Sequence, residues 1–161
     1  MSLGAEASAR YDVSMRQALA LAEESLTGEP AVVDVPVGAI VLDPSGAVIG
    51  TGTNLRERAQ DPTGHAEVVA LRAASASRGS WRLDGCTLVV TLEPCTMCAG
   101  AIVLARIETL VFGAYDDKAG AVGSLWDVVR DRRLNHRPRV IGGVLAEETG
   151  ELLRRFFAER R

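Results

Sequence analysis

Aromatic side chains are scarce in this sequence: two Trp, two Tyr and three Phe, 4% of 161 residues. Any core must be filled by Val, Leu, Ile and Ala, which a chain that is 47% hydrophobic can supply. No apolar run approaches the roughly 20 residues that cross a bilayer, so no membrane partner is expected. The N-terminal residues lack a basic stretch followed by an apolar one, so no secretory signal is expected and the cytoplasm is the expected location. Three cysteines, two of them three residues apart, argue against a disulfide framework. A net charge of −3 gives no global attraction to nucleic acid. Linkers, internal repeats and low-complexity segments are missing as well, which points to one domain over residues 1–161, with residues 1–9 expected to be flexible.

What is present is a regular alternation of hydrophobic patterns. Residues 10–27 place Met15, Ala18, Leu19, Ala22 and Leu26 at steps of three and four, an amphipathic helix that Gly28 and Pro30 would end. Residues 35–42 and 47–52 read as strands joined through Asp43-Pro44-Ser45-Gly46, which makes a hairpin. A polar loop over 54–64 leads into a helix over 65–78. A strand over 87–91 runs straight into a helix over 94–106. Strands follow at 109–114 and 140–145, with a helical stretch over 124–129 between them. The last helix, 146–160, carries Leu152, Leu153, Phe156 and Phe157 on one stripe. About 25 residues separate the last two strands, too many for a hairpin turn, so these two are predicted parallel. The pattern predicts an α/β fold: three layers, α/β/α, around a mixed five-stranded sheet with strands 4 and 5 parallel.

Two short pieces carry the chemistry: His65-Ala66-Glu67 and Pro94-Cys95-Thr96-Met97-Cys98. Pro94 fits the first position of a helix, which would put Cys95 and Cys98 on one face of its first turn. With His65 they make three ligands of the kinds zinc prefers, and the fourth tetrahedral position stays open, as in a catalytic site. One Zn2+ per subunit is expected. Glu67 need not ligate and is placed to carry protons. Such a set suits hydrolysis of an amino group from a heteroaromatic ring, where a zinc-activated hydroxide attacks and a carboxylate moves protons to ring and leaving amine. His-x-Glu followed by Pro-Cys-x-x-Cys is the signature of zinc nucleobase deaminases. The remaining candidates read otherwise: Cys86 as a small buried residue before a strand, His136 as a surface or RNA-facing residue among arginines. Arginines cluster at 130–139 and over the last eight residues, either as solvated faces or as patches facing phosphate.

Along nearly its whole length, from about Tyr11 to Arg161, the chain resembles the TadA-type bacterial tRNA adenosine deaminases, which share a cytidine-deaminase-like fold. The resemblance rests on Val35-Pro36-Val37-Gly38-Ala39, Asn54, Asp61-Pro62-Thr63, His65-Ala66-Glu67 and Ala70-Leu71-Arg72. It extends through Thr91-Leu92-Glu93-Pro94-Cys95, Met97-Cys98-Ala99-Gly100-Ala101, Val111-Phe112-Gly113-Ala114, Gly123-Ser124-Leu125 and Asn135-His136-Arg137. It implies deamination of adenosine to inosine at the wobble position of an arginine tRNA, with attack at C6. It also implies a homodimer acting on a tRNA anticodon stem-loop. Asn54 and the backbone amide of Ala66 would hold the flipped base, Asp116 and Lys118 would touch RNA beside it, and Phe156 with Phe157 would lie against the anticodon loop. Tyr115 departs from the family, standing where many relatives carry a basic residue. The alternative is an enzyme of the same fold acting on a free nucleobase or nucleoside, of the cytosine or guanine type.

Overall fold

A computed structural model describes residues 3–27 and 32–161. Gly28 and Pro30, expected to end the first long helix, lie outside the described residues. The elements in order are α1 (Leu3–Ala9), α2 (Asp12–Glu24), β1 (Gly38–Leu42), β2 (Val48–Thr53), α3 (Ala66–Arg78), β3 (Thr87–Leu92), α4 (Thr96–Leu104), β4 (Thr109–Ala114), β5 (Arg139–Ile141) and α5 (Ala146–Ala158). The short helix α1 stands where the sequence predicts a flexible segment.

The five strands form one sheet in the order β2-β1-β3-β4-β5. β1 pairs antiparallel with both β2 and β3, while β3, β4 and β5 run parallel. The strands with neighbours on both sides are apolar at nearly every position because both faces are covered. Alternate residues divide between two cores. Ala39, Val41, Leu88, Val90, Leu110 and Phe112 meet Ala70 and Ala74 of α3 and Ala99 and Ile102 of α4. Ile40, Leu42, Val89 and Val111 pack with Tyr11, Met15 of α2 and Val144. With α5 packed against β3 and β4, this is the three-layer arrangement.

Small residues set how closely α3 approaches the sheet. A Cβ on Gly50 would come within 2.5 Å of the Ala74 amide nitrogen, and one on Gly52 would run into the Ala66 carbonyl. Their absence lets α3 lie directly on β2, which fixes its first turn beside the carboxyl end of β3. At the hairpin, Asp43 Oδ1 accepts the amides of Ser45 and Ala47, and Gly46 takes φ +89°.

Three predicted elements differ from what forms. Residues 124–129 are not helical: Gly123 has φ +130°, and the amides of Leu125 and Trp126 both donate to the Gly120 carbonyl, giving a folded loop with a bridge between Val122 and Asp127. The last strand is three residues rather than six, because Gly142 and Gly143 leave the sheet; a Cβ at Gly142 would lie 2.5 Å from the Phe112 ring. The helix expected over 94–106 begins at Thr96, with consequences for the metal ligands.

Candidate active site

Both helices that carry the His-x-Glu and Cys-x-x-Cys pieces begin at the same rim of the sheet. His65 is the N-cap of α3, with φ −74° and ψ 150°. Cys95 is the N-cap of α4, with φ −75° and ψ 178°. Pro94 is therefore not the first helical residue but precedes the cap. Its carbonyl accepts the Ala121 amide at 2.8 Å, while the Cys95 carbonyl accepts the first intrahelical bond, from Ala99. Cys98 still lies one turn on, so the three-residue spacing serves the same end from the cap position. The N-terminal partial charges of both helices face the cluster and favour thiolate sulfur.

His65, Cys95 and Cys98 bring one ligand atom each to within 4.8 Å of one another. His65 Nδ1 lies 3.6 Å from Cys95 Sγ and 3.5 Å from Cys98 Sγ. Zinc bonds of about 2.3 Å to sulfur and 2.0 Å to nitrogen at a tetrahedral angle would separate the two atoms by about 3.5 Å. The donor set fits zinc in kind and spacing, and three ligands leave one position open. A hydrogen bond from Cys98 brings Cys95 down to about 4, with His65 helping, whereas the same bond and burial push Cys98 up. A bound cation deprotonates both.

Glu67 lies in the first turn of α3 and is buried, 5% exposed, beside the cluster but outside it. Burial lifts its carboxyl to about 7, against the opposing pull of its own backbone N–H and of His65. A carboxyl poised near neutrality can both take and give a proton.

His65, Cys95 and Glu67 line a cavity whose apolar walls are Val35, Val37 and Leu92 and whose polar rim includes Asn54, Arg56 and Asp116. Ala66 lines it too, at the start of α3. Asn54 is held from both ends: its Nδ2 donates to the Val35 carbonyl and its Oδ1 accepts the Arg56 amide. That loop is anchored by Asp34, buried at 3% exposure, whose carboxylate accepts the Glu57 and Arg58 amides. Asp116 Oδ1 accepts the amides of Lys118 and Ala119, which turns the loop after β4 over the cavity.

Lys118 is exposed and lies in an adjoining groove that shares Val35, Leu92 and Asp116 with the cavity. The groove continues over Tyr115 and one face of α5, through Leu153, Arg154 and Phe157 to Arg160 and Arg161. Phe156, expected to face RNA, is buried instead at 5% exposure, with the Arg160 guanidinium 3.7 Å from its ring centroid. It continues the inward stripe of Thr149 and Leu152, one phase away from Phe157, which is 49% exposed. The other sequence candidates fall outside the site. Cys86 is buried and accepts a hydrogen bond from Arg78. His136 is half-buried, its Nε2 2.6 Å from the Ile107 carbonyl. Arg130 and Arg133 pair with Asp127 and Asp131.

A family model described as the cytidine and deoxycytidylate deaminase zinc-binding region matches residues 9–114. A tRNA-specific adenosine deaminase of Bacillus subtilis is 48% identical over 128 residues, covering 80% of this chain and 79% of that protein. A tRNA(Ile)-lysidine synthase of Deinococcus deserti is 48% identical over 150 residues; this is 93% of the present chain but only 27% of that longer protein, so the chain spans about a quarter of its length. Among solved structures, one from studies of A-to-I editing by tRNA:A34 deaminases at the wobble position of transfer RNA superposes with a TM-score of 0.78 at 41% identity, covering 86% of this chain and 97% of the other. A guanine deaminase from Nitrosomonas europaea superposes with a TM-score of 0.74 at 28% identity, covering 91% and 84%.

Proposed function

The chain belongs to the cytidine and deoxycytidylate deaminase zinc-binding family, and within it to the tRNA-specific adenosine deaminases; from that premise we propose that it converts adenosine to inosine at the wobble position of an arginine tRNA. The observation that carries the chemistry is the buried carboxyl of Glu67 beside a three-ligand zinc site at the floor of a cavity. When bound, zinc supplies the Lewis acidity that makes a water nucleophilic near neutral pH. Glu67 takes a proton from the attacking water and delivers protons to the ring nitrogen and the leaving amine. The water oxygen bonds to C6, the C6–N bond breaks, and ammonia leaves. Asn54 and the Ala66 amide hold the base, while the walls of Val35, Val37 and Leu92 exclude bulk water.

The substrate reading is supported by the groove beside the cavity. A nucleotide flipped into the cavity would leave its neighbours over Tyr115, Lys118 and Phe157, an arrangement of rings and cations suited to unstacked bases and their phosphates. Phe157 takes the contact role expected of Phe156. Asp116 acts by shaping the loop that presents Lys118. A homodimer working in the cytoplasm completes the proposal; Trp81, Leu104, Leu125 and Trp126, all more than half exposed, give apolar surface for a second copy.

The test is incubation of the zinc-loaded protein with an arginine tRNA transcript bearing adenosine at the wobble position. Reverse transcription should read guanosine there. Unconverted tRNA together with consumption of free guanine or cytosine would replace this reading with that of a nucleobase deaminase. Sedimentation at micromolar concentration should give a dimer; a monomer alone would remove that part.

A further inference from the structure

Glu93 belongs to neither the zinc ligands nor the proton path, yet its carboxylate is the most heavily used acceptor around the cavity. Its side chain is 2% exposed. Oε2 accepts the Asp116 amide at 3.0 Å and the Ser124 hydroxyl, and Oε1 accepts the amides of Val122 and Ser124, each at 3.0 Å. Four donors therefore converge on one carboxylate, and all four come from the loop that follows β4. None of them is a cation. An ionised carboxylate buried without a counter-ion is costly, and it is tolerated where its lone pairs are filled by fixed dipoles.

The backbone repeats the attachment. The Glu93 amide donates to the Ala114 carbonyl, and the Pro94 carbonyl accepts the Ala121 amide, both at 2.8 Å. Gly120 permits the approach, since a Cβ there would sit 2.5 Å from the Glu93 carboxyl carbon. The loop forms no helix over 116–124, and its other hydrogen bonds, such as the Asp116 turn and the Val122–Asp127 bridge, are made within itself or to residues just beyond it. Its outward side carries Asp116 and Ala119 into the cavity wall and Lys118 into the adjoining groove. Glu93 lies two residues before Cys95. One short run thus fixes a metal ligand on one side and a wall of the substrate cavity on the other.

We propose that Glu93 is a positioning residue for substrate: its carboxylate fastens the loop 116–124 in register with the zinc site, so that the wall contacting the nucleotide and its neighbours is already formed when RNA arrives. The proposal rests on the deaminase reading above for its substrate, but the tether itself is a property of the protein alone. Gln at this position keeps one acceptor oxygen and turns an NH2 toward two of the four donors. An unformed wall must be ordered by the substrate, and that cost falls on binding.

The experiment compares Glu93→Gln and Ser124→Ala with the parent, all zinc-loaded, on an anticodon stem-loop RNA with adenosine at the wobble position. For Glu93→Gln we expect one zinc per chain, KM raised about tenfold and kcat reduced less than about threefold. Ser124→Ala removes the hydroxyl donor, leaves the carboxylate intact, and should raise KM about two- to threefold. Hydrogen exchange on the RNA-free protein should show the amides of Asp116, Val122 and Ser124 losing protection in Glu93→Gln. A fall in kcat at unchanged KM, or loss of zinc, would overturn the proposal, since Glu93 would then act through Cys95. Unchanged protection of the three amides would overturn it too. Should Glu93→Gln not fold, Ser124→Ala decides: unchanged KM overturns the proposal and raised KM upholds it. Should the parent leave the stem-loop unconverted, the functional reading fails while hydrogen exchange still tests the tether.

Discussion

Glu67 and Glu93 are both buried carboxylates within reach of the same cavity, and their surroundings send them in opposite directions. Glu67 sits among sulfur and apolar atoms, and burial raises it to about 7. Burial also works against Glu93, but the Ser124 hydroxyl and three amides outweigh it and hold the carboxyl below its ordinary value. One carboxyl is left free to exchange protons and the other is locked as an acceptor. Replacing Glu67 by Ala should leave zinc stoichiometry unchanged and lower kcat by a factor on the order of 10²–10⁴, the usual span of a lost acid–base group; undiminished turnover would remove Glu67 from the mechanism. Cys95→Ala should lose the metal, as measured by elemental analysis after gel filtration, and normal zinc content would contradict the ligand assignment. His65, Cys95 and Cys98 were legible in the sequence because metal chemistry needs particular atoms at particular spacings. In the sequence Glu93 is only one letter of the Thr91-Leu92-Glu93-Pro94-Cys95 run. Its role depends on donors from residues 116, 122 and 124, and nothing local in the sequence announces where a distant loop will place its amides.

Among the elements, α3 shows how a backbone contact places a side chain. Gly50 and Gly52 let its first turns lie on β2, so Gly52→Ala must push Ala66 away and move His65 with it. Overpacking of this kind costs about 1–3 kcal/mol; thermal unfolding should show a lowered Tm, and zinc titration a weaker site. The loop before α3 gives a pH prediction. The Thr63 hydroxyl, then its amide, hold the Asp61 carboxyl below its ordinary range. A depressed folded pKa means that its stabilisation is fully present above the unfolded value of about 3.9 and fades as pH falls through the folded one. The Tm difference between the parent and Asp61→Asn should therefore be constant near neutrality and close as pH drops below about 4; a difference independent of pH would refute the carboxylate's part. Element boundaries were legible wherever periodicity was strong, as in β4, found over Thr109–Ala114 as predicted. The predicted helix over 124–129 failed because apolar spacing there reports burial of Val128 and Val129 against the core, while the Val128 amide, which a helix would direct to the Ser124 carbonyl, donates to that of Ala121. In α5 the stripe was recognised but not its phase, since Phe156 and Phe157 are equally apolar and only the sheet beneath distinguishes them.

For the molecule as a whole, the acidic sum of charges conceals a local arrangement. Several arginines spend their charge on neighbours, as Arg154 does on Glu147 and Glu151. Lys118, the only lysine of the chain, stands exposed beside the cavity. If it meets a phosphate, Lys118→Ala should weaken stem-loop binding and reduce the slope of log K against log salt by about one; an unchanged slope would place the phosphates elsewhere. Phe157→Ala should raise KM for the stem-loop, whereas Phe156→Ala should chiefly lower Tm, because the first ring is exposed in the groove and the second is packed beneath Arg160. The sequence by itself determined the layered α/β class and the zinc ligands, since alternation of apolar residues and the identity of ligand atoms are local properties. The tertiary structure decided the rest: which phenylalanine faces the groove, that Cys95 caps rather than opens its helix, and that Glu93 gathers the loop forming the cavity wall. Those depend on which distant backbone groups arrive at one place, and that is settled only when the chain closes on itself.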